Sequence, residues 1–189
     1  MPDHVILFAG PMGAGKTTAI RALSDIEVVA TEAANTERDV VDKPTTTVAL
    51  DYGEIEVSDE AKVRLYGIPG QKRFEFMWRI LKSRAEGMIL LVNNDAPEPV
   101  ERMREFLRDF DDLLERGGIV VAVSRTDVAP HPDTEQYAEA LDEDYPGIII
   151  PVLAVDPRDR GDMRLALLSL IGNMEMRQLL SAAAETEPA

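Results

Sequence analysis

The chain has 189 residues, 20 Lys+Arg against 35 Asp+Glu for a formal net charge of −15, no cysteine, and 45% hydrophobic residues. That length suits one globular domain with an ordinary core, and the missing cysteines exclude a disulfide scaffold, a thiolate nucleophile and any Cys-ligated zinc or iron–sulfur centre. The acidic balance argues against nucleic acid or an anionic lipid surface as a broad partner, so an anionic ligand needs a dedicated local site. No apolar run approaches the roughly 20 residues that span a bilayer, and the first residues lack a signal-peptide pattern. Position 2 is Pro2 and no cysteine offers itself for prenylation, so the expectation is a cytoplasmic protein without direct membrane insertion, associated with membranes only through partners.

Short β-branched runs alternate with helical patterns from end to end, the mark of a parallel sheet between helices. Val5 to Ala9 is predicted as a buried strand. Thr17 to Leu23 reads as a helix opening directly after a glycine-rich turn. Thr31 to Thr47 is polar and without period, an exposed loop long enough to be functional. Val48 to Val57 and Lys62 to Ile68 flank the polar turn Ser58-Asp59-Glu60-Ala61 as an antiparallel hairpin. Helices follow at Phe74 to Arg84, Pro99 to Arg116, Thr134 to Leu141 and Asp162 to Leu180, alternating with strands at Met88 to Val92, Ile119 to Val123 and Ile148 to Val155. The sum is an α/β fold, a six-stranded mostly parallel sheet with one antiparallel edge strand, occupying residues 1–180 and followed by a flexible acidic tail, 181–189. Seven acids and no Lys or Arg lie between Asp127 and Asp144, a solvated face or a docking patch for a basic partner.

Gly10-Pro11-Met12-Gly13-Ala14-Gly15-Lys16-Thr17 satisfies G-x-x-x-x-G-K-[ST] between the first predicted strand and helix, where a phosphate-binding loop has to stand. Backbone N–H groups from Gly13 to Thr17 curl round an anion only where side chains do not crowd them, and the helix N-terminus adds the positive end of its dipole. Lys16 brings a compact charge to the β- and γ-phosphates, and the Thr17 hydroxyl suits Mg²⁺. Thr18 continues the candidate nucleotide contacts. The loop alone leaves kinases, ATPases and GTPases open.

Leu65-Tyr66-Gly67-Ile68-Pro69-Gly70-Gln71-Lys72-Arg73-Phe74 resembles the D-x-x-G-Q-E switch II motif of Ras-like small GTPases. The likeness implies that the Gly70 N–H meets the γ-phosphate and that Gln71 orients the attacking water. The run Lys43-Pro44-Thr45-Thr46-Thr47 and the following strand residues resemble switch I, with Thr47 on Mg²⁺ and the γ-phosphate. Ser124-Arg125-Thr126-Asp127 stands where the family carries N-K-x-D, which implies Arg125 on the face of the base and Asp127 on the guanine edge. Asp156-Pro157-Arg158 stands where it carries S-A-K. The wording is most similar to the bacterial MglA-like and conservon-type GTPases, over about residues 4–180. The resemblance implies a three-layer P-loop NTPase sandwich, a Ras-like G domain with Mg²⁺ as cofactor and GTP or GDP as ligand. It further implies slow hydrolysis, a molecular switch, and a roadblock/LC7-type regulator at the switch face.

The departures are chemical. Gly67 replaces an Asp that holds water on Mg²⁺, and Asp51, four residues after Thr47, is the candidate substitute in a T-x-x-x-D pattern; the alternative is a solvent-facing strand Asp. Ser124 replaces an Asn, and Pro157 has no N–H for the guanine O6, with the amide of Arg158 as a candidate stand-in. GTP is therefore the favoured ligand and ATP the alternative. Arg38 and Arg73 are candidate arginine fingers in cis beside Lys16 and Gln71, or else surface residues. A P-loop kinase similar to thymidine kinases is one rival, although those enzymes add zinc-binding cysteines. A pseudo-GTPase scaffold is the other. The eight methionines read mostly as core.

Overall fold

The run His4–Ala9 forms the first strand, β1, and its alternate residues enter two separate cores. Leu7 and Ala9 point to one face of the sheet and Ile6 and Phe8 to the other. This is the period-2 geometry of a strand buried on both sides, and it accounts for the unbroken apolar run. Residues 4–30, 50–58, 61–70 and 75–186 are described by the structure, a computed structural model. Among the described residues six more strands follow: β2 (Val29–Ala30), β3 (Asp51–Ser58), β4 (Ala61–Gly67), β5 (Gly87–Asn93), β6 (Ile119–Ser124) and β7 (Val152–Val155). The helices are α1 (Lys16–Leu23), α2 (Glu75–Lys82), α3 (Pro99–Leu107), α4 (Asp111–Glu115), α5 (Thr134–Asp144) and α6 (Arg160–Thr186).

Strand order is β2-β3-β4-β1-β5-β6-β7. Pairings of β4, β1, β5, β6 and β7 are all parallel, and β3 runs against β4 in the expected hairpin. All six predicted strands are present in the expected arrangement. The two-residue β2 lies outside β3, too short to carry a period in the sequence.

Helices α1 and α6 cover one face through Ala19, Ile20, Leu23, Met163, Ala166 and Leu170. The other face is covered by Trp78, Met103, Phe106, Leu113, Tyr137 and Leu141 from α2 to α5. The result is the three-layer sandwich, and its strands deliver their carboxyl ends to one edge where β1 neighbours both β4 and β5. Ligands of open α/β sheets bind at such a point.

Several predicted boundaries differ: the last strand opens at Val152 rather than Ile148, and α5 runs on from Leu141 to Asp144. The single helix expected over Pro99 to Arg116 is broken, because Asp109 and Phe110 make tightened i→i+3 bonds to Phe106 and Leu107. That turn carries the fully buried Phe110 ring against Trp78, at 5.9 Å between centroids, and Lys82 Nζ donates to the Asp109 carbonyl at 2.8 Å. The tail expected to fray from Ser181 continues α6 to Thr186, since Ser-Ala-Ala-Ala-Glu is rich in the strongest helix former. Met88, Met103 and Met163 are buried, in line with methionines that are mostly core, while Met12 and Met176 are exposed.

Candidate nucleotide-binding site

The glycine-rich loop joins the end of β1 to the start of α1. Gly13 and Gly15 take left-handed φ values of 81° and 99°, and Gly15 serves as N-cap without a side-chain capping bond. The first amides of α1 are thus kept for an external acceptor. Lys16 folds back over the loop and its Nζ donates to the carbonyls of Gly10 and Pro11, both at 2.8 Å. Burial pulls the Lys16 ammonium down to about 8, with the Asp51 carboxylate opposing the shift.

One residue further on, Thr17 Oγ1 donates to Asp51 Oδ2 at 2.5 Å. Asp51 opens β3 and pairs across the sheet with Gly67, the last residue of β4. A Cβ at Gly67 would lie 2.9 Å from the Asp51 Cβ and 3.0 Å from its Oδ2. The Asp51 carboxylate therefore fills the space that a side chain at 67 would need. The alternative of an Asp51 turned to solvent does not describe the structure. Beyond β4, Gly70 lies against the phosphate loop, where a Cβ would come 2.3 Å from the Gly10 carbonyl oxygen. Trp78 Nε1 donates to the Pro69 carbonyl at 2.9 Å and so anchors this segment to α2.

A cleft of about 760 Å³ runs from the loop toward the ends of β6 and β7. It gathers Gly13, Ala14, Gly15 and Thr18 with Ser124, Arg125, Asp127, Asp156, Pro157 and Arg158. Gly10, Met12 and Asp51 stand outside this lining. Arg125, at φ 62°, reaches across the cleft: Nη1 meets Asp95 Oδ2 at 2.7 Å and Nη2 donates to the Gly13 carbonyl at 3.3 Å. Its guanidinium holds Asp95 below the usual carboxylate range. Ser124 is buried and donates to the Val92 carbonyl at 3.3 Å.

The third loop is tied together by its own polar groups. The amide of Arg158 was the candidate for the guanine O6, but it donates to Asp156 Oδ1 at 2.9 Å, and the Arg158 guanidinium grips the same carboxylate at 2.7 Å. That grip brings Asp156 down to about 2. On the other side of Pro157, the Asp156 amide donates to Asp162 Oδ2 at 2.8 Å. Both amides flanking the proline are occupied within the protein.

One supporting residue escaped the sequence reading. Asn94 is buried just after β5, and its Nδ2 donates to the carbonyls of Ala129 and Pro132 at 2.6 and 2.9 Å while its Oδ1 accepts from Tyr137 Oη at 2.7 Å. The Asn93-Asn94 pair at the end of an apolar strand was the available signal. Arg38, Thr47, Gln71 and Arg73 lie outside the described residues. The acidic run from Asp127 to Asp144 is partly neutralised, because Arg104 meets Asp144 at 2.6 Å and Glu143 at 3.6 Å.

The phosphate loop, the sheet order and the cleft define a nucleotide-binding P-loop protein of G-domain architecture. The chain belongs to the family described as conserved hypothetical ATP binding proteins, which it matches over residues 26–187. It is 30% identical over 135 residues to the uncharacterized protein MJ1339 of Methanocaldococcus jannaschii, covering 70% of this chain and 76% of that one. It is 24% identical over 129 residues to intraflagellar transport protein 22 of Chlamydomonas reinhardtii, a match spanning 65% of this chain and 64% of the relative. In fold it is similar to the G domain of the FeoB iron transporter of T. maritima, with a TM-score of 0.61 and 18% identity over 91% of this chain and 99% of that one. The bacterial selenocysteine-specific elongation factor EF-Sec gives the same score and identity, over 91% of this chain and 29% of its own. Among the described residues, no helix is long and apolar enough to cross a membrane.

Proposed function

We propose that the chain is a Mg²⁺-dependent GTP-binding switch that hydrolyses GTP slowly. The observation that carries this reading is the cleft itself: it leads from the amides of the phosphate loop to the exposed carboxylate of Asp127, an acceptor suited to the N1–H and N2–H₂ donors of guanine. Thr17 and Asp51 are hard oxygen donors 2.5 Å apart beside the loop, a donor set that fits Mg²⁺; Thr47 would complete it. Mg²⁺ would neutralise charge on the β- and γ-phosphates. Lys16 binds the same phosphates, and Gly70, packed on the loop, is suited to read the γ-phosphate. Gln71 orients water, with Arg38 or Arg73 as the source of a cis guanidinium. By resemblance, the protein is MglA-like and its turnover is set by a roadblock/LC7-type partner at the switch face.

Chromatography of the nucleotide that co-purifies, followed by GTP and ATP competition, tests the reading. Guanine nucleotide in the purified protein and a Gln71→Leu variant that releases less phosphate are expected. An adenine ligand is the second reading, favoured by the engaged amides on both sides of Pro157. ATP displacing a fluorescent GDP as well as GTP does would decide for it.

A further inference from the structure

Helix α6 buries Met163, Ala166, Leu167 and Leu170 against the sheet, yet it carries a second apolar stripe on its opposite side. Leu165, Leu168, Met176 and Leu179 are 54%, 65%, 53% and 68% exposed. Together with Gly172 they recur at steps of 3, 4, 4 and 3 residues, which keeps them on one side of an α-helix.

Gly172 is the second observation. Glycine inside a helix is disfavoured relative to alanine, and here nothing internal calls for it: a Cβ at Gly172 meets no atom within 4 Å. By contrast, at Gly87 in the neighbouring strand a Cβ would press on Leu170 at 3.0 Å. The bare backbone of Gly172 faces outward, at the midpoint of the stripe.

The spacing also reads the same in both directions from Gly172. A helix laid antiparallel across a two-fold axis at this residue sets Leu165 against Leu179 of the partner subunit and Leu168 against Met176 of the partner subunit, with the two glycines at the crossing. A two-fold interface must be self-complementary in this way, and small residues at a crossing let backbones approach closely. The charged neighbours on the flank, Arg164 and Glu175, are of opposite sign, so the stripe is spared the repulsion expected of a −15 surface.

We infer that the outer face of α6 is a homodimer interface in which two copies of this chain cross antiparallel at Gly172. One helix face supplies about half of the roughly 800 Å² per partner of a standard interface. The dimer accordingly belongs with weak, transient interfaces.

The complete absence of native cysteine makes the geometry directly testable. Leu168→Cys and Met176→Cys variants, mixed and oxidised, should yield a disulfide-linked dimer, while each alone should not, because the like positions lie about 12 Å apart along an antiparallel pair. Sedimentation velocity between about 5 and 500 µM should show the wild type moving from monomer to dimer. Gly172→Leu should remain monomeric although it adds apolar surface, and should melt no lower than the wild type, since the site is open in the monomer and leucine favours the helix over glycine. A wild type that stays monomeric at the highest concentration overturns the proposal. So does a Gly172→Leu variant that associates as well as the wild type, which would mark a non-specific apolar patch, or cross-linking of Leu168→Cys with itself.

Discussion

At the scale of single residues, the informative feature is the exchange of side chains between the paired ends of β3 and β4. Gly67 is bare because Asp51 occupies its space. Asp51→Ala is expected to lower Mg²⁺-dependent nucleotide affinity roughly 10- to 100-fold, measured by titration calorimetry with and without Mg²⁺. The double variant Asp51→Gly, Gly67→Asp should recover most of that loss, whereas Gly67→Asp alone should unfold more easily because both carboxylates compete for one space. Lys16 makes a pH prediction. Its folded-state value of about 8 lies below the ordinary 10.5, and a bound polyphosphate favours the charged ammonium. The complex thus holds more protons than the free protein above pH 8. Affinity should fall as pH rises through 8, by about tenfold from pH 7 to pH 9, and binding at pH 9 should take up protons, read as a calorimetric heat that depends on the buffer. The phosphate loop was fully legible because its chemistry is local in sequence. Arg125 was legible only as a candidate for the face of a base. Its grip on Asp95 and Gly13 depends on how three loops meet, which no local pattern encodes.

At the scale of elements, the loop holding Asp127 is set by the strut from Asn94 to Tyr137 and α5. The capping box of α5 fixes its start, with Asp133 accepting from the Gln136 amide and Gln136 reaching back to the Asp133 amide, each at 3.0 Å. Asn94→Ala leaves the buried Tyr137 hydroxyl without its acceptor. A loss of about 2 kcal/mol is expected, read from urea midpoints, together with weaker nucleotide binding and little change in the affinity for inorganic triphosphate. The strands of this fold were readable because both faces of each are buried, so β-branched runs stand out against charged helices. The break between α3 and α4 was not, since the apolar period continues through it and only the demand of Trp78 for Phe110 reveals the turn. The end of α6 was misread by weighing small, acidic residues as tail rather than by their helix propensity.

On the scale of the whole molecule, the net charge of −15 acts against every polyphosphate that approaches. Long-range repulsion is screened by salt while the contacts inside the cleft are screened much less. Nucleotide association, followed by stopped-flow fluorescence at fixed Mg²⁺, should therefore speed up roughly two- to fivefold from 20 to 200 mM NaCl, with a much smaller change in dissociation. Within the cleft, Arg125 joins the phosphate loop to the end of β5 through one guanidinium. A base that leans on this side chain necessarily acts on the Gly13 carbonyl, and a phosphate that shifts Gly13 acts on the base loop in return. The two halves of the ligand are then bound by a single coupling free energy that is the same in either direction: nucleoside added first must sharpen or blunt the protein's hold on pyrophosphate by the same factor that pyrophosphate changes its hold on nucleoside.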